Sequence, residues 1–149
     1  MRVVSALLGY EGTHAYMIRA TPPMEGMMCR IGGKVDGAES LDTAIVCEIR
    51  EEAGCEAVVE RIGSLLITYD GLHPTPYTFY RARTSDMPYT MEPSEGTIIL
   101  LSIDEALGHP KLHPFTKRVV ELLLHNEPFD GSVRIGPGPE YKMLEFTHL

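Results

Sequence analysis

The stretch GGKVDGAESLDTAIVCEIREEAGC, residues 32–55, decides the fold. From Ser40 onward its apolar residues recur at steps of three and four, which is the period of an amphipathic helix. Ser40 or Asp42 can cap the start of this helix, and Gly54 stands where a helix end favours a left-handed residue. The pattern predicts a glycine-rich loop followed by a helix to residue 53, with these residues on the buried side: Leu41, Ala44, Ile45, Ile49 and Ala53.

Three glutamates of this helix, Glu48, Glu51 and Glu52, stand at positions i, i+3 and i+4 and therefore project from one face. Like charges at this spacing repel by a few tenths of a kcal/mol, roughly. A hard divalent cation reverses the sign of that term, because it binds several carboxylate oxygens. Since the apolar residues occupy the other side, we expect the acidic face to point away from the core. The alternative interpretation is a merely solvated acidic surface.

The spacing of the whole stretch resembles the Nudix box, which runs from a glycine through Arg-Glu and Glu-Glu pairs to a final glycine and aliphatic residue. Two positions depart from that pattern: Cys47 replaces the family's arginine and Cys55 replaces the closing aliphatic residue. The matching residues are Gly33, Glu39, Glu48, Ile49, Glu51, Glu52 and Gly54.

The resemblance implies an α/β (α+β) Nudix fold, with a mixed β-sheet sandwiched between helices and the box forming a loop–helix–loop. It also implies that Mg²⁺ or Mn²⁺ is bound and that the box glutamates Glu51 and Glu52 are catalytic. Gly32 and Glu39 would support the loop. The metal ligands implied by the resemblance are the Gly33 carbonyl, Glu48, Glu51 and Glu52.

Many members of the family use a further acidic residue shortly before a late strand, as a metal ligand or general base. Glu92 and Glu95 both lie there, ahead of the apolar run at residues 97–103, and a solvated loop carboxylate is the alternative for each. Glu95 is nearer the strand, and we choose it as the catalytic residue outside the box.

Cys47 is the departure with the larger consequence, because the family's arginine holds the box glutamates in orientation. Without that cation the proton affinity of the neighbouring carboxylates should rise. Arg50 lies roughly 300° around the helix from position 47 and is not an evident substitute. Lys34 and Arg30, from the preceding loop, are the candidates.

The rest of the chain predicts strands at residues 3–8, 15–19, 57–59, 62–68, 77–83 and 97–103, and a helix at about 114–125. A length of 149 residues fits one domain covering 1–149. The pattern places no element in the tail, residues 126–149, which is rich in glycine and proline.

A formal net charge of −8 argues against an extended nucleic-acid partner, because phosphate contacts need clustered Lys and Arg. The odd number of cysteines, without disulfide or zinc spacing, indicates reduced thiols in the cytoplasm. No stretch is apolar for long enough to predict a membrane span. A homodimer is an expectation from family habit alone.

The implied function is metal-dependent hydrolysis of a nucleoside diphosphate linked to a moiety X, a pyrophosphatase reaction that gives a nucleoside monophosphate and phospho-X. The alternative is a catalytically weakened Nudix-like module that binds a nucleotide or regulates a partner. The sequence does not identify X. Candidate contacts are ring stacking by Tyr69, Tyr77, Phe79 or Tyr80, phosphate contact by His73 or His113, and a surface of Met24, Met27 and Met28.

Overall fold

The computed structural model describes residues 1–22, 24–69, 72–136 and 143–148, the last of these by backbone alone. The strands are β1 (Arg2–Tyr10), β2 (Thr13–Arg19), β3 (Met28–Cys29), β4 (Ile31–Val35), β5 (Val58–Tyr69), β6 (Thr75–Arg83), β7 (Gly96–Leu101), β8 (Phe129–Ile135) and β9 (Met143–His148). The helices are α1 (Leu41–Ala53), α2 (Ile103–Leu107) and α3 (Pro114–Leu124).

The strands form one mixed sheet in the order β3-β2-β1-β6-β5-β8-β9, with β4 paired to β1 and β7 paired to β2. Strand β1 is central to it, because it pairs antiparallel with β2 and β4 and parallel with β6. The predicted mixed sheet with helices is confirmed. The predicted strands at 57–59 and 62–68 are one continuous strand, β5, with an irregularity between Arg61 and Gly63.

Successive residues of β1 point to opposite faces of the sheet and therefore enter two separate cores. Val4, Ala6 and Leu8 pack with the apolar side of α1, and Leu7 packs with α3 on the other face. The sheet is thus covered by α1 on one side and by α3 on the other, which is the predicted sandwich. The glutamates of α1 and the glycines of β4 lie at the edge of the α1 core.

The two longer helices begin and end close to the positions that their sequences predict. The Ser40 side chain accepts from the Thr43 N–H at the start of α1, and Gly54 ends the helix with φ of 67°. At α3 the cap is His113, whose Nδ1 accepts from the Phe115 N–H at 3.1 Å while the residue is buried. The phosphate contact suggested for His113 is not supported, because the residue is only 1% exposed.

The tail that the sequence left without structure contributes two strands, β8 and β9. Strand β8 joins the sheet by pairing parallel with β5, and β9 pairs antiparallel with β8. The sequence pattern of β8 was hard to recognise, because Gly131 and polar residues alternate with Phe129, Val133 and Ile135. The glycine- and proline-rich residues 137–142 lie outside the described residues. Among the described helices, none combines the length and apolar character needed to cross a bilayer.

A substitution at Gly63 can test how closely β5 packs against β8. A Cβ at Gly63 would lie 2.6 Å from atoms of the Phe129 ring, in the core beside α3, whereas a Cβ at Gly9 would meet its nearest atoms at 3.6 Å. Gly63→Ala should therefore lower the free energy of unfolding by about 1–3 kcal/mol through overpacking. Gly9→Ala, also in a strand, is the control. Urea unfolding of both variants measures the difference, and equal stabilities would contradict the packing described.

Candidate functional site

The site is built where the C-terminal half of α1 lies against β4. Glu52 is buried, at 9% exposure, and its Oε2 accepts from the Gly32 N–H at 3.3 Å. The expectation that the acidic face points away from the core is therefore wrong for Glu52. The helix is rotated so that this carboxylate faces the backbone of β4, and Glu51 remains exposed.

The glycines of β4 allow this close approach. A Cβ at Gly33 would lie 2.6 Å from the carboxylate carbon of Glu48. A Cβ at Gly32 would collide with the backbone of Val4 on the neighbouring strand β1. Gly33 therefore provides the space that the Glu48 carboxylate occupies, and Gly32 keeps β4 in register on β1.

The carboxylates of Glu48 and Glu52 share a poorly solvated space, and this changes their acidity. Burial, followed by the charges of Glu51 and Glu95, raises the pKa of Glu48 to about 7. Burial and the charge of Glu48 raise the pKa of Glu52 to about 8, although the Gly32 N–H and Arg19 act in the opposite direction. Each shift measures how strongly the site disfavours a second negative charge when no cation is bound.

Glu95 lies in the turn before β7 and is brought to these carboxylates by the sheet. Its backbone carbonyl accepts from the Ala20 N–H at 2.9 Å at the end of β2, which fixes the turn. Its charge raises the pKa of both Glu48 and Glu52. Of the two loop residues singled out in the sequence, Glu95 is the one whose charge acts on both of these box glutamates.

The chain ahead of Glu95 is attached to the C-terminal turn of α1. The Tyr89 N–H donates to the Ala53 carbonyl at 3.1 Å, and the Met91 N–H donates to the Glu52 carbonyl at 3.4 Å. The loop that carries Glu95 is therefore bonded to the same helical turn that carries Glu52.

Cys47, in place of the family's arginine, lines a groove of about 320 Å³ together with Asp42, Thr43, Val46, Arg50 and Val59. This groove runs along the side of α1 away from Glu48 and Glu52. Arg50 does not substitute for the arginine, because its guanidinium forms an exposed pair with Glu56, with Nε at 2.5 Å from Oε1.

Neither loop cation considered from the sequence replaces the missing arginine in the structure. Lys34 is exposed. Arg30 instead donates from Nε to Ser5 Oγ at 3.0 Å and stacks on aromatic rings. The cation whose charge does reach Glu52 is Arg19, at the end of β2. No sequence pattern pointed to it, because Arg19 is brought toward the box by the pairing of β2 with β3 and with β7.

The fit of a metal can be tested on the donors present. Glu48 and Glu52 offer hard carboxylate oxygens packed together, which is the donor set that Mg²⁺ and Mn²⁺ prefer. In the part of the chain that is described, no three His, Cys, Asp or Glu side chains already converge closely enough to hold a metal. The carboxylates of Glu48 and Glu52 therefore fit a divalent cation. A third ligand would have to move toward them, and Glu51, which is exposed and lies one helical turn from Glu48, is the candidate.

Glu39 is held through its backbone at the start of the box. Its N–H donates to the Asp36 carbonyl at 3.0 Å, and its own carbonyl accepts from Arg2 Nη2 at 3.1 Å. These bonds shape the turn between β4 and α1, and the supporting role of the Glu39 side chain stays a prediction.

The other candidate contacts separate by face. Tyr80 is buried on the α1 face and donates to Asp42 at 2.6 Å, so it is not available for stacking on a base. Phe79 is fully buried in the opposite core, whereas Tyr69 and Tyr77 are half-buried at its margin.

His73 is exposed. The methionines fill the core beside α3, with Met24 and Met28 buried and Met27 packed against them, so a methionine binding surface is not found.

Comparison with solved structures gives the fold its name. No protein-family model and no curated protein matches the chain. The MutT NUDIX hydrolase from Burkholderia pseudomallei is 26% identical, with a TM-score of 0.63 over 81% of this chain and 95% of that one. The mutator MutT protein from Bacillus halodurans has a TM-score of 0.79 at 19% identity, over 99% and 96% of the two chains.

The chain has the Nudix fold. A third similar structure is the NUDIX domain of Shewanella oneidensis NrtR complexed with ADP ribose, with a TM-score of 0.73 at 17% identity, covering 84% of this chain and 86% of that domain. The matching structures are of MutT and Nudix hydrolases, and the box residues of this chain stand at the spacing of that family.

The raised pKa of Glu52 predicts that the free energy of unfolding of the metal-free protein decreases as the pH rises. Its folded pKa of about 8 exceeds the ordinary value of 4.5, so the folded state holds the proton more tightly than the unfolded state. Stability from this group is present below about pH 4.5 and is lost as the pH rises through 8. In EDTA, Glu52→Gln should therefore melt progressively higher than the wild type as the pH increases from 5 to 8.

The control for this comparison is Glu60→Gln, because Glu60 is exposed on β5. Its melting temperature should follow the wild type across the same range. A difference between wild type and Glu52→Gln that does not change with pH would contradict the raised pKa.

Proposed function

We propose that this Nudix protein hydrolyses the diphosphate bond of a nucleoside diphosphate linked to a moiety X, releasing a nucleoside monophosphate and phospho-X. The observation that carries the proposal is the pair of carboxylates, Glu48 and Glu52, packed against the Gly32–Gly33 backbone, with the charge of Glu95 acting on both. Burying like charges together has no structural benefit by itself. A divalent cation bound between these carboxylates would compensate their charges and could also bind phosphate oxygens.

The proposed metal is Mg²⁺ or Mn²⁺, held by Glu48, Glu52 and the exposed Glu51, with the Gly33 carbonyl assisting. Bound there, the metal would neutralise diphosphate oxygens and increase the acidity of a coordinated water. The chain's own part would be to hold the two carboxylates in place: the Gly32 N–H fixes one oxygen of the buried Glu52, and the absent side chain of Gly33 leaves room for the half-buried Glu48.

Glu95 is proposed to accept the proton of the attacking water. It approaches the glutamate pair from β7 rather than from α1, so its carboxylate is free of the helix that positions the ligands. Glu51 and Glu52 are the box residues proposed to take part in catalysis beside it.

The alternative function is a weakened Nudix-like module that binds a nucleotide without turning it over. Cys47 favours it, because no arginine from position 47 reaches the glutamates. The intact set of Glu48, Glu51, Glu52 and Glu95 favours the hydrolase, since a pure binding module gains nothing from burying like charges.

The NrtR domain bound to ADP ribose makes that compound one substrate to test, and a homodimer remains a prediction. Free Cys29, Cys47 and Cys55 fit a reducing compartment, and we propose the cytoplasm.

Metal dependence and the role of Glu52 can be tested together. Excess EDTA should abolish release of monophosphate from nucleoside diphosphate compounds, and Mg²⁺ or Mn²⁺ should restore it. Glu52→Gln should fold and lose turnover by on the order of 10³-fold, about 4 kcal/mol of barrier. Glu60→Gln, on an exposed strand position, should keep wild-type turnover. Full activity in EDTA would refute the metal, and similar rates for both variants would refute the role of Glu52.

The choice of Glu95 over Glu92 is tested by a second matched pair, because the two residues stand three apart in the same exposed loop. Glu95→Gln should reduce kcat by about 10²–10⁴-fold, the usual contribution of a general base. Glu92→Gln should leave kcat unchanged. Saturating Mg²⁺ should not rescue Glu95→Gln if its role is proton transfer. Loss of activity in Glu92→Gln alone would reverse the assignment.

A further inference from the structure

Arg30 directly precedes β4 and turns its side chain to the face opposite the box helix. Its guanidinium carbon lies 5.1 Å from the centre of the Phe79 ring and 5.4 Å from that of Phe115. Its Nε donates to Ser5 Oγ at 3.0 Å. The guanidinium is thus fixed in position by two rings and a hydroxyl.

This fixed cation lacks an anionic partner among the described residues. Nη1 is buried without a hydrogen-bond partner, and no carboxylate in that part of the chain forms an ion pair with Arg30. An enclosed charge without a partner is costly to a folded protein. Aromatic rings compensate it only in part, because a cation–π contact is weaker than a charge-assisted hydrogen bond.

The neighbours of the guanidinium are the cysteine and tyrosines at the margin of the α3 core. Burial lowers the pKa of Arg30, while Cys29 and three tyrosines act to raise it. Those tyrosines are Tyr16, Tyr69 and Tyr77. Tyr69 and Tyr77 are half-buried and Arg30 itself is only partly buried, so part of this surface is open to a ligand.

The Arg30 surface lies close to the box. Arg30 and Gly32 are two residues apart, a span of roughly 7 Å along an extended chain, and the Gly32 N–H binds Glu52. Arg19, at the end of β2, carries a charge that acts on Glu52 and also on Tyr77 and Cys29. A substrate that extends from the glutamates past the end of β2 would reach Arg30.

We infer that Arg30 binds a second anionic group of the substrate, a carboxylate or a phosphate, separate from the diphosphate that is cleaved. The inference rests on the proposed function and specifies the class of substrate. An anionic oxygen bound to the unpartnered Nη1 would supply the charge-assisted hydrogen bond that this nitrogen lacks. Tyr69 and Tyr77 would flank the part of the substrate that carries this anionic group.

The experiment uses two pairs of probes that differ by one anionic group. UDP-glucuronate and UDP-glucose differ by a carboxylate, and NADPH and NADH differ by a phosphate. The ratio of kcat/KM for the anionic over the neutral member is measured with Mg²⁺ for the wild type, Arg30→Gln and Arg61→Gln. Arg61 is the matched control, since its guanidinium also stacks on a ring, that of Tyr80 at 5.9 Å, but it is exposed and paired with Asp42.

We expect the wild type to favour the anionic member of one pair by about 10–100-fold, and which pair does so distinguishes carboxylate from phosphate. Arg30→Gln should reduce that ratio to near one, mainly through KM of the anionic member, while the neutral member keeps its kcat. Arg61→Gln should keep the wild-type ratio. A structural role of Arg30 would lower the melting temperature without changing the ratio.

Ratios near one for both pairs in the wild type would overturn the inference and leave diphosphate hydrolysis intact. If no probe is turned over, the proposed function fails, and binding of the same pairs in EDTA by calorimetry decides the inference separately. Selective binding of an anionic member that is lost in Arg30→Gln would support it; equal binding of both members would overturn it. If Arg30→Gln does not fold, the wild-type ratios alone decide.

Discussion

The structure depends on the close contact between β4 and α1. Gly33 carries no side chain, and the Glu48 carboxylate occupies the space that a side chain would fill, while the Gly32 N–H donates to Glu52. The same β4 residues pair with β1, which is the centre of the sheet. The position of the glutamates relative to the sheet is thus set by backbone contact. Short, direct contacts of this kind would hold the proposed metal ligands in place before a metal binds.

Much of this arrangement follows from the sequence because it is local. The helix from Ser40 to Gly54 is determined by its cap, its apolar period and its terminal glycine, all within one stretch. The box spacing identified the glutamates for the same reason. The rotation of α1 that buries Glu52 was not predictable from the period alone. Amphipathic spacing fixes which residues face the sheet, but the backbone of β4 decides how much of the acidic side is covered.

What the sequence could not supply is contact between distant segments. Arg19 reaches Glu52 because β2 pairs with β7, and Glu95 reaches the box through the same pairing. Arg30 appeared from its position to be a partner for the glutamates, yet its side chain enters the opposite core. Residues of a strand point to alternate faces, so a position just before β4 did not decide whether the guanidinium pairs directly with the glutamates. The tail shows the same limit, since β8 is recognisable only by its partner β5.

The loop that carries Glu95 has a further consequence, because it is bonded to α1 through Tyr89 and Met91. These bonds attach it to the carbonyls of Ala53 and Glu52, while Glu95 itself is bonded to the end of β2. The segment between these anchors therefore acts as a spacer of fixed length. A longer or shorter spacer would shift Glu95 relative to Glu52 without altering either residue. Variation in loop length among related proteins would then retune the distance between two carboxylates, and this gives evolution a route to new reactivity that leaves the box unchanged.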